Sequence, residues 1–557
     1  MIFVPLIPLF QLLQPILVQI GIDHYILANK QAGLMMIVAI FGVCVCLEFV
    51  CKAAQVFLFQ YLGQKTVADI RTDLFSHVLT LSSTYFDKTP QGSITTRLTT
   101  DVESLNDSLA SGLITLLSDV LVLIGILATM FWYSPKLTII TLLVVPPMAI
   151  LVNFFRKRLR HYYFLIRSTI GKINANLQEQ LIGVKVVQLF NRYQKNYRQL
   201  NTLLVDYRKA TIGSVIYDAV LYATVEAMSA IMIAIMIWYS WGLGQSEISL
   251  GVLVAFVDLI LKFFTPLKEL SSKFAILQHA LAALEKIFGL FDINDRVSSG
   301  TKLPDKEKGT IVFKSVSFAY KGYETKPVLT NVSFSVRPGQ VVAIVGPTGS
   351  GKSTITRLIT RLYDGYSGDI ELNGVEISKY KIEALRSTIA IVTQEVQLFS
   401  ASIWFNLSLG CPNVTTDDMI NSMKIVQLHD WAESQPNGYD TALMQKGRNL
   451  SAGQAQLLSL ARALVSPAPI IVLDEATANV DSLSERLIQH TMNEIIKRKT
   501  VIVIAHRLST IQKADTIITM KDGTIIESGT HQELMANNQF YSKLYSMQFA
   551  HNTAYND

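Results

Sequence analysis

The chain has 557 residues, of which half are apolar and 17% are charged, with a mean hydropathy of +0.33 and a net charge of +6. It is too long for one ordinary core, too apolar for a purely soluble protein and too polar for a pure membrane bundle, so we expect domains of both kinds. The charge is too small and dispersed to indicate a nucleic-acid partner, since basic loops against anionic lipid explain it equally well. The four cysteines form neither a disulfide framework nor a metal set.

Apolar stretches in the first half are long enough to cross about 30 Å of hydrocarbon as helices. They lie near residues 1–20, 33–61, 112–133, 137–155, 213–240 and 247–265. The first lacks a basic start and a cleavage site, and others follow it, so a signal peptide is the weaker interpretation. We therefore predict a transmembrane domain of six helices over residues 1–292.

Basic residues concentrate in the connections near 62–111 and 156–212, whereas the other connections hold little beyond Lys30 and Lys136. The positive-inside rule makes both long connections cytoplasmic, and six spans then place the second half of the chain there too. The stretch "KINANLQEQLIGVKVVQLF" has helical periodicity. We therefore expect spans two to six to continue well into the cytoplasm.

Residues 293–308 combine charge, glycine and proline, which predicts a linker. Over residues 309–557, β-rich runs alternate with helical segments, the pattern of an α/β domain with a largely parallel sheet. The runs are "TIVFKSVSFAY", "VVAIV", "IAIVT", "PIIVLD" and "TVIVIA".

The stretch "GPTGSGKS" matches the phosphate-loop pattern G-x-x-x-x-G-K-[ST], with a strand before it and a helix after it. Its backbone N–H groups would surround phosphate oxygens, Lys352 would reach the β- and γ-phosphates, and Ser353 would bind Mg²⁺. A glycine turn with a chance lysine is a much weaker interpretation in this context. The predicted ATP-binding residues of the loop are Gly346, Pro347, Thr348, Gly349, Ser350, Gly351, Lys352, Ser353 and Thr354.

The stretch "IIVLDE" predicts a buried parallel strand whose carboxyl end lies where open α/β sheets bind ligands. Asp474 is then placed to hold Mg²⁺, and Glu475 to polarise an attacking water as general base. Aliphatic residues before an aspartate are common, so this interpretation depends on the phosphate loop that precedes them.

Residues 449–464, "NLSAGQAQLLSLARAL", predict a helix with an apolar face, capped by Asn449 or Ser451. "LSAGQ" is similar to the signature LSGGQ of ATP-binding cassette (ABC) exporters. Over essentially its whole length, and with its motifs in the same order, the chain resembles a half-transporter of that family. The resemblance implies an all-α six-helix transmembrane domain of the type I ABC exporter fold, followed by an α/β P-loop NTPase domain.

In that family two cassettes enclose two ATP molecules, so the resemblance implies a dimer with a second half-transporter. A homodimer is favoured, and a heterodimer stays open. Each signature would contact the partner's ATP, with Ser451 and Gly453 at the γ-phosphate. The signature residues are Ser451, Ala452, Gly453 and Gln454.

The resemblance assigns further roles. Tyr320 matches the aromatic residue that stacks on adenine, with Tyr323 as a rival. Gln394 in "IVTQE" matches the glutamine that senses Mg²⁺, and His506 in "VIVIAHRLST" matches the switch histidine that steadies the attacking water. Asp481 matches the loop that couples the two ATP sites.

Residues 85–101 and 183–196 resemble the cytoplasmic connections that dock on the cassettes, and residues 263–271 resemble the sixth span running toward its own cassette. Three features depart from the family pattern. Ala452 replaces a glycine of the signature, and we expect activity to be retained. Gln445 replaces a common glutamate. The chain also begins almost inside its first span, which a truncated gene would explain.

Acidic residues at membrane depth, where charge is costly, indicate a water-lined path. They are Glu48, Asp119, Glu226 and Asp258. We hypothesise an acidic inner cavity that favours cationic amphipathic cargo. Alternatively, Glu48 pairs with Lys52 and Asp258 with Lys262 at i,i+4 spacing, which leaves Asp119 and Glu226 unpaired within their own helices.

The predicted function is ATP-driven export of a hydrophobic or amphipathic substrate, such as a drug, lipid or peptide. The chain would be a multi-pass protein of a bacterial cytoplasmic membrane, in contact with lipid, with its ATP-binding domain in the cytoplasm. A soluble cassette ATPase acting on ribosomes or DNA is disfavoured by the six spans. An ATP-gated channel or regulator on the same scaffold remains an alternative.

Overall fold

The computed structural model describes residues 3–107, 112, 114–242, 248–305, 309–323, 325–411, 414–444, 447–474, 481–505 and 508–549. The chain divides into two units. The first, called here the membrane unit, comprises residues up to Leu79 together with Gln91–Ile293. The second, called here the cassette unit, comprises Thr80–Pro90 and the residues from Asn294 onward.

The chain before the first strand is helical. Its helices are α1 (Phe3–Ile20), α2 (Gln31–Leu79), α3 (Ser83–Lys88), α4 (Gln91–Thr96), α5 (Val102–Asp107), α6 (Ile114–Tyr133), α7 (Pro135–Ile182), α8 (Val184–Leu189), α9 (Tyr193–Gly242) and α10 (Leu250–Phe291). Among these, α3 belongs to the cassette unit and the others to the membrane unit.

Four of these helices are much longer than a membrane crossing requires. The helices α2, α7, α9 and α10 have 49, 48, 50 and 42 residues. At about 1.5 Å per residue they exceed 60 Å, about twice the hydrocarbon thickness. They therefore extend beyond the bilayer, as expected for spans two, four, five and six, whereas α6 has 20 residues and most residues just before it lie outside the described part.

Within the described residues, five helices are long and apolar enough to cross a membrane: Pro5–Ile26, Gln31–Leu79, Thr115–Tyr133, Pro135–Ile182 and Tyr193–Ser240. The sixth predicted span corresponds to α10, whose side chains are described only in part. Buried residues from α6, α7, α9 and α10 form one apolar cluster that includes Met130, Met148, Met232 and Phe256. Burial of these side chains holds the helices together.

The cassette unit combines strands and helices. Its strands are β1 (Ile311–Phe318), β2 (Leu329–Val336), β3 (Val341–Val345), β4 (Ser367–Leu372), β5 (Val375–Glu376), β6 (Ile389–Val392), β7 (Ile470–Asp474), β8 (Thr500–Ile504), β9 (Thr516–Lys521) and β10 (Thr524–Gly529). Its helices after α10 are α11 (Lys352–Ile359), α12 (Ile382–Ser387), α13 (Ile403–Ser408), α14 (Thr416–Ile425), α15 (His429–Glu433), α16 (Ala452–Val465), α17 (Ser482–Ile496), α18 (Leu508–Gln512), α19 (His531–Ala536) and α20 (Phe540–Phe549).

The strands form two sheets. The six-stranded sheet has the order β10-β9-β3-β8-β7-β6 and is parallel except for β10. β3 is buried at every position, because alternate residues face an apolar cluster containing α16 on one side and a cluster containing α11 on the other. A continuous aliphatic run is typical of such a doubly covered strand.

The run "TIVFKSVSFAY" does not join that sheet. It forms β1 of a separate four-stranded sheet, order β2-β1-β4-β5, whose pairs are antiparallel. The burial of β1 is uneven along the strand, with exposed residues in the middle, which is typical of a sheet covered on one face. The prediction that placed this run in the largely parallel sheet was therefore wrong.

The predicted linker packs on the cassette unit over its described part. Gly300 N–H donates to the Tyr380 carbonyl at 3.0 Å, and Ser299 Oγ accepts from Ile382 N–H at 3.2 Å. Ser298 Oγ accepts a hydrogen bond from Arg361 at 3.2 Å. The segment therefore folds as part of this unit rather than as a free tether.

Arg361 anchors this region from inside. Its side chain is 1% exposed, and its guanidinium donates to both carboxylate oxygens of Asp364 at 3.1 and 2.7 Å. Such bidentate pairs are strong, and a buried guanidinium that loses its carboxylate keeps an uncompensated charge.

Asp364→Ala is expected to lower the free energy of unfolding by about 2 kcal/mol, less than the roughly 3–5 kcal/mol of a fully buried pair, because the Asp364 side chain is 34% exposed. Thermal unfolding of the full chain in detergent measures this as a lower Tm. The control is Glu371→Ala, which removes the partner of Lys314, a half-exposed lysine. This change should have less than half the effect, since surface pairs contribute little. Equal shifts for the two variants would contradict the anchoring role of Arg361.

Candidate nucleotide-binding site

The phosphate loop connects β3 to α11, as the motif requires. Gly346 and Gly351 have φ angles of +154° and +98°, which side-chain-bearing residues rarely adopt. A Cβ atom at Gly346 would lie 2.3 Å from the Met520 carbonyl oxygen, and one at Gly351 would lie 2.6 Å from Leu329. Glycine is required at both positions, and the loop therefore presents backbone N–H groups next to the positive end of α11.

Lys352 is the first residue of α11 and is 7% exposed. Its Nζ donates to the carbonyl oxygens of Gly346 and Pro347, both at 2.8 Å. Burial lowers the pKa of Lys352, while the negative charge of Asp474 acts in the opposite direction. Asp474, the last residue of β7, is thus close enough to the lysine to act on its charge.

The residues around Lys352 fit a phosphate and a magnesium ion. Ser350 Oγ is buried and, among the described residues, has no hydrogen-bond partner, so it is suited to bind a phosphate oxygen. Gln394 and Asp474 follow or end adjacent parallel strands, β6 and β7, and so lie along the same edge of the sheet. Together with Ser353 they offer only oxygen ligands, which Mg²⁺ prefers.

Tyr320 lies beside the helix that follows the phosphate loop. Its hydroxyl is 3.1 Å from Thr354 Oγ1 and accepts from Arg357 at 3.0 Å. The Tyr363 ring packs edge-on against it, with centroids 5.2 Å apart. The rival, Tyr323, is 72% exposed. Sequence reasoning missed Arg357 and Tyr363, although Arg357 follows Ser353 by one helical turn on the same face of α11.

The signature stretch forms the start of α16. Of the two candidate caps, Ser451 is the one used: its Oγ accepts from Gln454 N–H at 3.1 Å, and Gln454 Oε1 accepts from Ser451 N–H at 3.0 Å. Asn449 instead accepts a hydrogen bond from Met444 N–H. Ser451 and Ala452 are exposed and Gly453 is buried. The exposed helix terminus is available to a molecule outside this chain.

Asp481 caps α17, because its carboxylate accepts from Ser484 N–H at 3.0 Å. Hydrogen bonds that the carboxylate accepts from the backbone and the side chain of Ser484 lower the pKa of Asp481. Glu475, His506 and Gln445 lie outside the described residues. Their roles stay predictions based on the residues next to them, Asp474 at the end of β7 among them.

The comparisons with known proteins agree with this geometry. Residues 1–267 match the family described as ABC transporter transmembrane region, and residues 329–478 match the family described as ABC transporter. The uncharacterized ABC transporter ATP-binding protein YknV of Bacillus subtilis is 34% identical over 544 residues, which cover 97% of this chain and 90% of that protein. The chain belongs to the ABC transporter family.

Other relatives give the type of transporter. An ATP-dependent lipid A-core flippase of Haemophilus influenzae is 34% identical, with 88% of this chain and 84% of that protein covered. The solved structure of a bacterial Atm1-family ABC exporter with ATP bound shares a TM-score of 0.80 at 25% identity, covering 98% of this chain and 97% of that one. The predicted family, fold class and ATPase activity are confirmed, and the protein is a multi-pass membrane ABC exporter that binds ATP.

Two of the four acidic residues predicted at membrane depth pair with lysines in the exporter's membrane unit. Asp258 pairs with Lys262 at 2.8 Å, as the spacing predicted. Asp119 forms an ion pair with Lys273 of α10. Among the described residues of its own helix Asp119 has no ion-pair partner, as expected, but its partner Lys273 lies on another helix. Spacing along one helix does not reveal such a pair.

Glu48 does not pair with Lys52 in the described structure, so that prediction was wrong. Its carboxylate accepts from Gln11 Nε2 at 2.9 Å and Gln14 Nε2 at 2.5 Å, both on α1. Gln14 Oε1 in turn lies 3.4 Å from the Lys262 ammonium. Glu226 is exposed on α9, and the described residues supply no ion pair to its carboxylate.

If Tyr320 stacks on adenine as predicted, Tyr320→Ala should raise the KM of the exporter for ATP about tenfold, because that aromatic surface is lost. Tyr320→Phe keeps the ring and should stay close to wild type. Steady-state ATPase assays across ATP concentrations measure both. Tyr323→Ala is the matched control, and a larger KM increase in that variant would identify Tyr323 as the stacking residue instead.

Proposed function

We propose that this ABC exporter works as a dimer with two ATP sites at the interface between its cassettes. The observation that most directly supports an ATP site in this chain is Lys352, which is buried at the start of α11 and close enough to Asp474 for that carboxylate to act on its charge. Residues 346–354 would hold the phosphates, and Tyr320 the base. Among the described hydrogen bonds, none joins the exposed signature residues Ser451 and Ala452 to this loop, which favours their use by the other cassette.

The two copies are proposed to be identical. Lys352, Ser353 and Asp474 of this chain match the motifs of a complete site, so a homodimer would have two hydrolytic sites. Exposure of the Ala452 methyl allows one extra carbon at the signature without a clash inside the chain. A heterodimer with a degenerate partner would have one such site.

Hydrolysis needs a base for the attacking water and a balance for the charge on the phosphates. We assign the base to Glu475, which would accept the proton of the water as its oxygen attacks the γ-phosphorus. His506 would hold that water, and Ser353, Gln394 and Asp474 would hold Mg²⁺, which neutralises charge on the β- and γ-oxygens when bound. Lys352 would balance the remaining negative charge.

Glu475→Gln is expected to bind ATP normally but to lower ATP turnover at least about a hundredfold, since a positioned base contributes that much. Nucleotide binding and vanadate-sensitive phosphate release by the reconstituted protein measure the two effects separately. Lys352→Ala should lose binding as well as turnover. Glu433→Gln, on an exposed glutamate of α15, is the matched control. Wild-type turnover in Glu475→Gln would refute this base.

The cargo is proposed to be hydrophobic or amphipathic. A flippase of a lipid is among the relatives, which favours cargo that enters from the bilayer. The charges of the membrane unit suggest the sign of the charge that the cargo carries. Of the four acidic residues predicted at membrane depth, Asp119 and Asp258 pair with lysines, whereas for Glu48 and Glu226 the described part of this unit shows no cation in contact.

A charged carboxylate at membrane depth indicates a water-lined or protein-lined surface rather than lipid. Glu48 accepts hydrogen bonds from two glutamine amides, and these donors are uncharged groups. We therefore propose an amphipathic cargo with a positively charged group, which would contact Glu226 or Glu48.

Glu226→Gln is expected to reduce efflux of a cationic dye such as ethidium roughly tenfold while ATPase activity is retained, because one attractive charge is removed. Efflux of a neutral dye should not change, and Glu48→Gln should resemble Glu226→Gln if both face the cargo. Transport in vesicles containing the full chain measures these rates. Unchanged ethidium efflux in both variants would remove the proposal of cationic cargo.

A further inference from the structure

A short segment of the helical half of the chain folds with the cassette unit. Residues Thr80–Pro90, called here the docking segment, separate α2 from α4 of the membrane unit but belong to the cassette unit. The segment contains α3 and continues directly from α2. Any force on this segment therefore reaches a membrane-spanning helix through the covalent chain.

Contacts near both ends of the docking segment fix it in the cassette unit. Ser82 N–H donates to the Asp295 carbonyl at 2.7 Å, and Leu81 and Ser82 are buried. Near the other end, the Asp87 carboxylate accepts a hydrogen bond from the Tyr363 hydroxyl. A hydroxyl bonded to a carboxylate is a charge-assisted interaction, roughly twice as strong as a neutral one.

Tyr363 also contacts the residues around the proposed base-binding ring. Its ring lies edge-on to Tyr320, with centroids 5.2 Å apart, and the Arg357 guanidinium lies 5.9 Å from its centroid. Arg357 donates to the Tyr320 hydroxyl. Tyr363 thus touches Tyr320 with its ring and Asp87 with its hydroxyl.

The hydroxyl of Tyr363 is a permanent donor. Burial raises its pKa, and the hydrogen bond to Asp87 raises it further. The side chain is 7% exposed, so a competing water has little access to it. The bond to Asp87 therefore depends on the position of the Tyr363 ring and not on its ionisation at neutral pH.

We propose that Tyr363 is a positioning residue that transmits nucleotide binding to the docking segment. This inference rests on the proposed function, since it takes Tyr320 as the ring that binds the base. A base stacked on Tyr320 restricts the Tyr320 ring and, through the edge-on contact, the Tyr363 ring. Restricting the motion of the Tyr363 ring strengthens its hydrogen bond to Asp87. Nucleotide binding and order in the docking segment therefore favour each other.

Hydrogen–deuterium exchange of the full chain in lipid nanodiscs tests this, with the non-hydrolysable analogue AMP-PNP and Mg²⁺ as the probe. In the wild type, the analogue should slow exchange of the amides in residues 80–90 about tenfold, the effect of one charge-assisted hydrogen bond. In Asp87→Ala, measured at saturating analogue, most of this protection should disappear, and the affinity for the analogue should fall by no more than the same roughly tenfold, because the coupling is reciprocal. Asp87→Asn, which keeps an acceptor oxygen, should recover part of the protection.

Tyr363→Phe keeps the ring and removes the hydroxyl, so it should lose the same protection as Asp87→Ala. The double variant should lose no more than either single variant, because both changes break one interaction. Tyr366→Phe is the matched control. It removes a tyrosine hydroxyl three residues away, whereas the hydroxyl that donates to Asp87 belongs to Tyr363. Its protection should equal that of the wild type.

Three results would overturn the inference: no protection of residues 80–90 in the wild type, full protection in Asp87→Ala, or losses that add in the double variant. Failure of the proposed base site is distinguishable, because Tyr320→Ala would then bind AMP-PNP as well as the wild type does. If Tyr320→Ala weakens binding but Asp87→Ala keeps the protection, the base site stands and only the role of Tyr363 fails.

Discussion

The rest of the nucleotide site depends on the hydrogen bonds of the buried Lys352 ammonium to the phosphate loop. A buried cation must be bonded, and two loop carbonyls at 2.8 Å together with the charge of Asp474 satisfy this requirement. The loop can supply those carbonyls only with a backbone that glycine allows at positions 346 and 351. The same loop leads into the start of α11, where unpaired backbone N–H groups and the helix dipole favour an anion, so the lysine and an anion site share one turn of the chain.

The two units differ in where their apolar side chains lie: many are exposed in the membrane unit, whereas those of the central strand in the cassette unit are buried. In the cassette unit, β3 is buried on both faces, and its rigid end presents the phosphate loop. In the membrane unit, apolar side chains point outward, and polar groups are tolerated where another helix binds them. Asp119 with Lys273, and Glu48 with Gln14, follow this rule. Charge at membrane depth therefore contributes to holding these helices together.

The docking segment and the start of α11 contact the same aromatic residues: Tyr363 bonds to Asp87, and Tyr320 bonds to Thr354. Tyr320, Tyr363 and Arg357 form a compact cluster beside α11. An ABC exporter must link ATP binding to movement of its spans, and hydrogen bonds between rigid elements are a direct way to do so. In this chain, Tyr363 contacts both Tyr320, the proposed base-binding ring, and Asp87 of the docking segment, which follows α2 in the sequence.

Local patterns predicted the phosphate loop, the buried strands and the long helices, because each depends on residues close together in the sequence. The cap at Ser451 and the Asp258–Lys262 pair are local for the same reason. Contacts between distant residues, such as Asp119 with Lys273, Glu48 with Gln11, and Tyr363 with Asp87, required the folded chain. So did the separate antiparallel sheet of β1, since hydrogen-bond partners of a strand are chosen by tertiary packing and not by its own residues.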